Sequence, residues 1–451
     1  MKIHTVLTRM LSIMTACVFC MTSCIFIYHE PEEIPEPEPK PEEIPDPEVF
    51  GRVNILYSAG HNNLTSYLLD DMKELAQSCA AVMNHPDDAL IIFSHLAGRT
   101  GYAPTEPAII RAKPMKGKVV YDTLMTMPSQ TISADARTLN EVLTYINGRF
   151  PAKEYNLIFS SHCSGYLPAG YLGNAAKFER EYNAGATSAR PARLKAPVAY
   201  PVPSQPAGPL TKSIGADYAG SSSSSYEIDL TDFAEAIPMH LNAIIFDACF
   251  MGGIEVAYEL KDKCSYLIGS QSEILAEGMA YDIMGSRISG SATDLAGLCR
   301  DYFNQYMTGS TSSSGATISM IDCSSLEPLA SVCHDIFERH RDSMEGIDYN
   351  DIQRFYRTGL GHYHGFYDLR DIMLHAGCSE EETADFDKAL AGCVMYRAAT
   401  EGFLTSYGGF QVISHCGLSM YLPAHKATYG NAYLNDYYKN LAWNKATGLV
   451  E

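Results

Sequence analysis

The sequence lacks the short fingerprints of several large enzyme classes. It contains no GxSxG, no HExxH, no phosphate-binding P-loop and no dinucleotide-binding glycine pattern, so the enzyme classes that carry these patterns have little support. Positive charge is also scarce, because 33 Lys and Arg stand against 53 Asp and Glu, for a formal net charge of −20. So acidic a chain has no electrostatic footprint for nucleic acid. We therefore expect no nucleic-acid partner.

Metal-binding and disulfide-scaffold spacings are missing as well. The cysteines beyond the N-terminal segment form neither zinc-like CxxC pairs nor the spacing of a small disulfide-stapled domain. His362 and His364 have no companion ligand at a convincing spacing, so a structural role is the simpler interpretation. We predict no metal site and expect mostly buried thiols, which stand at positions 79, 163, 249, 264, 299, 323, 333, 378, 393 and 416.

The first 23 residues have the features of a targeting segment rather than of a folded element. Lys2 and Arg9 accompany an apolar run, and small residues then lead to Cys24, as in a bacterial lipobox. We predict a lipoprotein signal peptide over residues 1–23 and lipidation of Cys24; the alternatives are a simple secretory peptide or a short membrane anchor. The protein would then be exported and held in the bacterial cell envelope by its lipid, on the periplasmic or surface face of the outer membrane.

Residues 24–50 are rich in proline and glutamate. The part between residues 30 and 48 holds nine acidic residues and one lysine. Proline favours the extended polyproline II conformation and like charges repel each other, so this composition predicts a semi-rigid tether. No stretch after the N-terminal segment is long and apolar enough to span a bilayer.

Apolar runs alternate with helical spacing over residues 51–288, which predicts a mostly parallel sheet covered by helices on both faces. Within this part, Ser133 is expected to cap a helix that runs through Ile146. An insertion at about 175–226, rich in Ala, Gly, Pro and Ser, is expected to form an exposed, mobile loop. Residues 289–451 change character, with helices such as Thr383–Ala398 and few strands, and we interpret them as a C-terminal α+β extension packed on the core.

The most informative stretch is Asn242–Tyr258, which has the pattern of a strand, a tight turn and a helix. Its short apolar run is typical of a strand buried on both faces of a parallel sheet. Cys249 follows at the tip of that strand, where ligands bind in open α/β sheets. Cys249 is therefore a candidate nucleophile; the alternative is a buried structural cysteine, since free cysteine is among the most buried residue types.

A second stretch, Tyr155–Gly165, repeats the same arrangement upstream. An apolar strand ends at His162, which lies 87 positions before Cys249. A cysteine needs a nearby base or a lowered pKa to attack a carbonyl, and an imidazole supplies that base. Only a fold in which the two strands are neighbours can bring these two side chains together.

The two segments SSHCSG and FDACFMGGIEVAY resemble the His and Cys motifs of the clostripain family of cysteine peptidases, which is similar in fold to caspases and gingipains. Weaker resemblance extends to residues 266–282, 366–373 and 416–423, and so over most of the chain after residue 50. The resemblance implies a caspase-like α/β/α sandwich, a His162/Cys249 dyad and hydrolysis of protein or peptide substrates. It also implies Ca²⁺ as a possible cofactor, although no calcium loop is visible in the sequence.

The resemblance also implies roles for neighbouring residues. Backbone N–H groups of Cys163 and Cys249 would hold the oxyanion of the tetrahedral intermediate. Asp247 corresponds to an acidic residue of the S1 pocket, with Glu277 or Glu273 as a second charge, which gives a preference for cleavage after Arg or Lys. The other interpretation of Asp247 is a turn residue that binds backbone donors. Self-cleavage in the insertion is implied after a basic residue, for which the candidates are Arg190, Arg193 and Lys195.

One position departs from the family pattern: Cys163 replaces the usual glycine after the histidine. A cysteine keeps the N–H but adds a Cβ, so it adopts positive φ less easily than glycine. It could also pair with Cys249 in a disulfide under oxidising conditions. Two other functions therefore stay open: a catalytically degenerate member that binds peptides or glycans, and a surface-anchored structural or adhesion protein that uses the same fold.

Overall fold

A nine-stranded sheet forms the centre of the protein. The structure, a computed structural model, describes residues 46–83, 87–98, 105–186, 189, 197–201, 217–218, 224–358, 365–423 and 430–451. In chain order the strands of the central sheet are β1 (Phe50–Gly60), β2 (Asp88–Leu96), β3 (Ala108–Met115), β4 (Lys118–Thr126), β5 (Ala152–Ser160), β6 (Leu241–Asp247), β7 (Cys264–Gly269), β8 (Thr317–Asp322) and β9 (Val394–Ala399).

The spatial order of these strands is β9-β8-β7-β6-β5-β1-β2-β3-β4. The five strands from β7 to β2 pair in parallel. The two strands at each edge pair in antiparallel fashion. Since β5 and β6 are direct neighbours in the middle of the parallel part, their carboxyl ends meet at the same edge of the sheet.

Strand burial follows from the apolar runs in the sequence. All nine residues of β2 are buried, and every residue of β6 except Asn242 is buried. Strands that are covered on both faces are continuously apolar rather than alternating, which is the pattern expected of parallel sheets. The exposed edge strand β4 instead alternates between exposed and half-buried residues.

Twelve helices of the described residues pack around this sheet. Their bounds are α1 (Thr65–Val82), α2 (Ala136–Arg149), α3 (Tyr171–Asn183), α4 (Leu230–Ala236), α5 (Ile254–Glu259), α6 (Tyr281–Ile288), α7 (Leu295–Met307), α8 (Glu327–Glu345), α9 (Leu369–His375), α10 (Glu380–Cys393), α11 (Ala432–Tyr438) and α12 (Ala442–Thr447). Helix α6 contacts α1 and α7, α2 contacts α4, and α8 contacts α10 and α12.

Among the described residues, seven shorter strands lie outside the central sheet. They form one three-stranded sheet and two pairs. The three-stranded sheet consists of Ala199–Pro201, Asp217–Tyr218 and Ser224–Tyr226, and the pairs are Tyr367–Asp368 with Ser419–Met420 and Gly402–Phe403 with Phe410–Gln411. Within the part of the chain that the structure describes, no helix combines the length and apolarity needed to cross a bilayer.

The predicted α/β fold with a mostly parallel central sheet is confirmed. The proposed boundary at residue 288 stays a prediction, although β8 and β9 from beyond it pair into the same sheet as β7. The predicted segments 1–23 and most of 24–50 lie outside the described residues.

Three local predictions are wrong. The helix expected over Thr383–Ala398 ends at Cys393, because the next residues pair with β8 as strand β9. The side chain that caps α2 is Asp135, which accepts from the Arg137 N–H, and not Ser133. The insertion is not a loop throughout, since α3 continues to Asn183 and three short strands follow.

Candidate active site

The tips of β5 and β6 carry the two side chains that the sequence singled out. The strands pair in parallel with a constant offset, and the pair at the end of the ladder is Ser160 with Asp247. His162 and Cys249 each follow two residues later, so the same register leads directly to them. The side chains of both residues are buried, with 3% and 0% of their surface exposed.

The His162 ring contacts a third strand tip. Its Nε2 lies 2.6 Å from Oδ1 of Asn63. Asn63 belongs to the turn that follows β1, and β1 is the other neighbour of β5 in the sheet. Three adjacent parallel strands therefore each contribute one polar side chain to this edge.

The Cys249 sulfur is held by the loop that follows β7. It accepts a hydrogen bond from the Ile274 N–H at 3.1 Å and lies 3.8 Å from the Ile274 carbonyl oxygen. Burial raises the pKa of the Cys249 thiol well above its usual range, and the nearby Glu273 carboxylate raises it further. This closed arrangement therefore favours the neutral thiol over the thiolate.

A buried ion pair fixes that loop. The guanidinium of Arg357 donates to both carboxylate oxygens of Glu273, at 2.6 and 2.7 Å. Both side chains are fully buried. Glu273, considered from the sequence as a second substrate-binding charge, is therefore engaged by a cation of this chain. Glu277 is exposed.

Asp247 lies at the end of β6 and is fully buried. Its Oδ2 accepts hydrogen bonds from the hydroxyls of Ser160 at 2.7 Å and Tyr281 at 2.8 Å. Two neutral donors thus orient a carboxylate immediately beneath the two strand tips.

The turn after His162 accommodates Cys163 without a left-handed backbone. Among the described non-glycine residues, positive φ occurs at Lys116, Phe250 and Leu404, so Cys163 is not strained in this way. The left-handed position is Gly165, with φ of 63°, and a Cβ there would lie 2.7 Å from the Phe250 carbonyl oxygen. The turn therefore requires glycine at position 165, whereas the glycine that Cys163 replaces in the family pattern stands at position 163.

The Cys163 and Cys249 side chains are free thiols in the structure. Burial raises the pKa of the Cys163 thiol as well. The backbone N–H of Phe250, the residue after Cys249, donates to the Ser272 carbonyl at 2.9 Å.

Aromatic residues cover the turn after Cys249. The Phe250 ring stacks on Phe366, with centroids 4.5 Å apart and planes 16° apart. Phe366 also packs against Tyr166 at 5.4 Å. Because Phe366 comes from the C-terminal part of the chain, that part packs against the turn that follows Cys249.

The insertion reaches the same edge of the sheet through Asp217. Its carboxylate accepts from the Ser133 N–H at 2.5 Å and hydroxyl at 2.9 Å, and lies 2.9 Å from His61 Nδ1 and 3.6 Å from His95 Nδ1. Burial acts to raise the pKa of Asp217, but the hydrogen bonds from His61, His95 and Ser133 outweigh it, so the pKa lies below its usual value. Ser133, which was expected to cap a helix, instead donates both of these hydrogen bonds to Asp217.

The sequence matches the model of the clostripain family, peptidase family C11, over residues 56–178 and 205–449. These ranges include both strand tips and more than half of the chain. The chain belongs to the clostripain family. This clostripain-family protein is therefore an enzyme of the cysteine peptidase class.

Solved structures of C11 proteases share the fold. An inactive zymogen of a C11 protease from Parabacteroides distasonis is 23% identical, with a TM-score of 0.69 over 89% of this chain and 99% of that chain. A secreted C11 cysteine protease from Bacteroides thetaiotaomicron, "iotapain", is 25% identical, with a TM-score of 0.67 over 88% and 99%. A secreted C11 cysteine protease from the same organism in complex with an irreversible peptide inhibitor is 20% identical, with a TM-score of 0.67 over 88% and 99%. Among proteins with curated functions, none matches this chain.

In the described part of this clostripain-family chain, three His, Cys, Asp or Glu side chains converge at His340, Cys378 and Glu382. This group does not fit calcium. Thiol and imidazole donors are unlike the oxygen ligands that Ca²⁺ takes. Arg339 and the Ser379 N–H also bind the Glu382 carboxylate. The two histidines considered for a metal from the sequence, His362 and His364, lie outside the described residues.

Several residues of the site were missed from the sequence. Asn63 and Arg357 lie outside the helices and strands, and Asp217 lies in a two-residue strand; no sequence motif indicates any of them. Only Asn63 carried a usable signal, since it is a polar residue just beyond a third apolar strand. The candidate processing residues Arg190, Arg193 and Lys195, like the lipidation candidate Cys24, lie outside the described residues.

Proposed function

We propose that this protein is a cysteine endopeptidase in which Cys249 is the nucleophile and His162 is the general acid and base. The observation that carries the proposal is the parallel register of β5 and β6, which leads to His162 on one strand and Cys249 on the next. A nucleophile and a base on adjacent strand tips need only side-chain adjustments to exchange a proton.

In this mechanism the Cys249 thiol gives its proton to His162, and the sulfur attacks the scissile carbonyl carbon. The backbone N–H groups of Cys163 and Cys249 stabilise the oxyanion that forms. The intermediate collapses to a thioester as His162 gives the proton to the leaving amine. Water, deprotonated by His162, then attacks the thioester, which releases the carboxylic acid and restores the thiol.

Cleavage after Arg or Lys follows from the carboxylate of Asp247, with Glu277 as a second acidic group. A cationic substrate side chain would add a charge-assisted hydrogen bond to a carboxylate that the neutral hydroxyls of Ser160 and Tyr281 orient. Because Asp247 is fully buried, a substrate side chain can reach it only after the residues around the site move apart.

The closed site is consistent with a precursor. Cys249 is fully buried, and burial raises the pKa of its thiol. One structure with the same fold is an inactive zymogen. We propose that cleavage of the insertion after Arg190, Arg193 or Lys195 converts this form to the active enzyme.

The protein is proposed to act outside the cytoplasm, attached through a lipid on Cys24. The tether at 24–50 would hold the peptidase away from the membrane. A similar protein is described as secreted. Growth with radiolabelled palmitate tests this, because Cys24→Ala abolishes incorporation if Cys24 is the lipidated residue, and unchanged incorporation excludes it.

The central experiment measures hydrolysis of fluorogenic peptides that end in Lys, Arg, Leu or Asp. The parent is tested under reducing conditions before and after limited trypsin treatment, beside Cys249→Ala and His162→Ala. Cys378→Ala is the matched control, since it removes a half-buried thiol far from the strand tips.

We expect cleavage after Lys and Arg by the parent and the control, and none by the two site variants. Cleavage that survives in Cys249→Ala would exclude the proposed nucleophile. Cleavage only after Leu or Asp would exclude the acidic S1 pocket. An inert parent whose Cys249 also resists a thiol-directed probe after trypsin treatment would favour the degenerate binding module.

A further inference from the structure

In the turn between β1 and α1, Asn62 holds the backbone and Asn63 contacts His162. Asn62 is buried; its amide donates to the Ala59 carbonyl at 3.0 Å, and its Oδ1 accepts from the Leu64 N–H at 2.8 Å. The Thr65 hydroxyl also donates to the Gly60 carbonyl at 2.7 Å. These contacts fix the backbone of the turn independently of the Asn63 side chain.

The Asn63 side chain is only half-buried and points to the catalytic edge. Its Oδ1 lies 2.6 Å from His162 Nε2. An amide oxygen only accepts hydrogen bonds, so Nε2 must be the protonated ring nitrogen and must donate. The His162 tautomer is thereby set, with Nδ1 as the nitrogen that can take a proton.

We propose that Asn63 is the positioning residue of the His162/Cys249 pair. It holds the imidazole plane, keeps the proton on Nε2, and stabilises the imidazolium that forms when Nδ1 takes the Cys249 proton. This inference rests on the proposed function of His162 and Cys249. No sequence motif indicates a third member of this pair, because Asn63 lies in a turn without a motif.

The contact between Asn63 and His162 predicts a particular pH dependence. Glu227 lines the same cavity as His162 and is unchanged in every variant. An acceptor on Nε2–H stabilises the charged ring, so it raises the pKa of the imidazolium. In the proposed mechanism the thiol gives its proton to a neutral imidazole, so protonation of His162 sets the acidic limb of the kcat/KM profile. Asn63→Ala removes the acceptor and shifts that limb to lower pH. Asn63→Asp keeps the acceptor and adds a negative charge, so it shifts that limb to higher pH.

The test measures kcat, KM and the pH profile of the full chain, activated as above, for the parent, Asn63→Ala and Asn63→Asp. Asn140→Ala is the matched control, because Asn140 is also half-buried. Its side chain makes one hydrogen bond, in which the amide donates to the Ala236 carbonyl at 2.9 Å. We expect Asn63→Ala to lower kcat by about 10- to 100-fold, with KM little changed. Asn63→Asp should restore most of this loss, and Asn140→Ala should behave as the parent.

Two outcomes separate this inference from the proposed function. If His162→Ala and Cys249→Ala abolish cleavage while Asn63→Ala keeps the parental kcat and acidic limb, Asn63 does not position His162 and the dyad stands. If Cys249→Ala or His162→Ala cleaves as the parent does, the proposed function itself is wrong. Equal loss of kcat in Asn63→Ala and Asn63→Asp, with no opposite shifts of the limb, would reduce Asn63 to a packing residue.

Discussion

The buried ion pair between Glu273 and Arg357 gives the sharpest energetic prediction. Arg357→Leu removes the cation and leaves the Glu273 carboxylate fully buried, next to the thiol of Cys249. Breaking a buried pair in this way typically costs about 3–5 kcal/mol of unfolding free energy. The hydrogen bonds at 2.6 and 2.7 Å are lost as well.

Protonation limits the electrostatic part of this cost and makes it depend on pH. For a carboxyl with an ordinary pKa of about 4.3, protonation costs about 3.7 kcal/mol at pH 7 and about 1 kcal/mol at pH 5. The unpaired acid of Arg357→Leu takes up a proton in the folded state before the unfolded chain does. The variant therefore regains stability relative to the parent as pH falls from 7 to 5.

The assay is urea unfolding followed by the fluorescence of Trp443, which is the single tryptophan and is buried. Arg370→Leu is the matched control, because Arg370 makes the same two-bond contact with Asp387 at 2.6 and 2.8 Å. The two side chains of that pair are 35% and 40% exposed, so we expect a loss below about 1 kcal/mol. The double variant Glu273→Gln/Arg357→Leu should recover most of the loss.

Equal destabilisation by Arg357→Leu and Arg370→Leu would refute this reasoning. So would a loss in Arg357→Leu that is the same at pH 7 and pH 5, because an unpaired buried carboxyl must respond to protonation.

Three further predictions concern residues around the strand tips. Burial raises the pKa of Glu255 to about 7, so its contribution to the unfolding free energy falls by up to about 3 kcal/mol as pH rises from about 4.3 to 7. Glu255→Gln should therefore flatten the pH dependence of the urea midpoint. An unchanged pH dependence in this variant would contradict the prediction. Gly165→Ala should lower the unfolding free energy by about 1–3 kcal/mol, because it places a Cβ at a φ of 63° and 2.7 Å from a carbonyl oxygen. An unfolding free energy equal to that of the parent would show that the turn adapts. Asp247→Asn should lower the ratio of kcat/KM for Lys over Leu peptides by about 100-fold, through loss of a charge-assisted bond; an unchanged ratio would remove Asp247 from the specificity pocket.

The sequence predicted the centre of the fold well because buried parallel strands have an unambiguous pattern. The apolar runs before His162 and Cys249 require burial on both faces, and only neighbouring parallel strands bring two such tips together. The prediction was poorer where tertiary contacts decide. Residues 394–398 continue a helical pattern, yet they form β9 because β8 offers an open edge.

The surroundings of the site could not be predicted, since they come from distant turns. Arg357 and Glu273 are separated by 84 residues, and no local pattern indicates that a cation will neutralise that particular acid. Serine is a residue type that often caps helices, but the buried carboxylate of Asp217 binds both the N–H and the hydroxyl of Ser133. Such choices depend on which polar groups are buried together.

The most direct test of the central claim is to identify the residue that an irreversible peptide inhibitor labels. The trypsin-treated protein would react with a chloromethyl ketone peptide that ends in Lys, and digestion with mass spectrometry would locate the adduct. We predict one adduct, on Cys249, that is strongly reduced in His162→Ala and unaffected in Cys378→Ala. An adduct on another cysteine, or labelling of Cys249 that does not depend on His162, would contradict the assignment of these two residues as the catalytic pair.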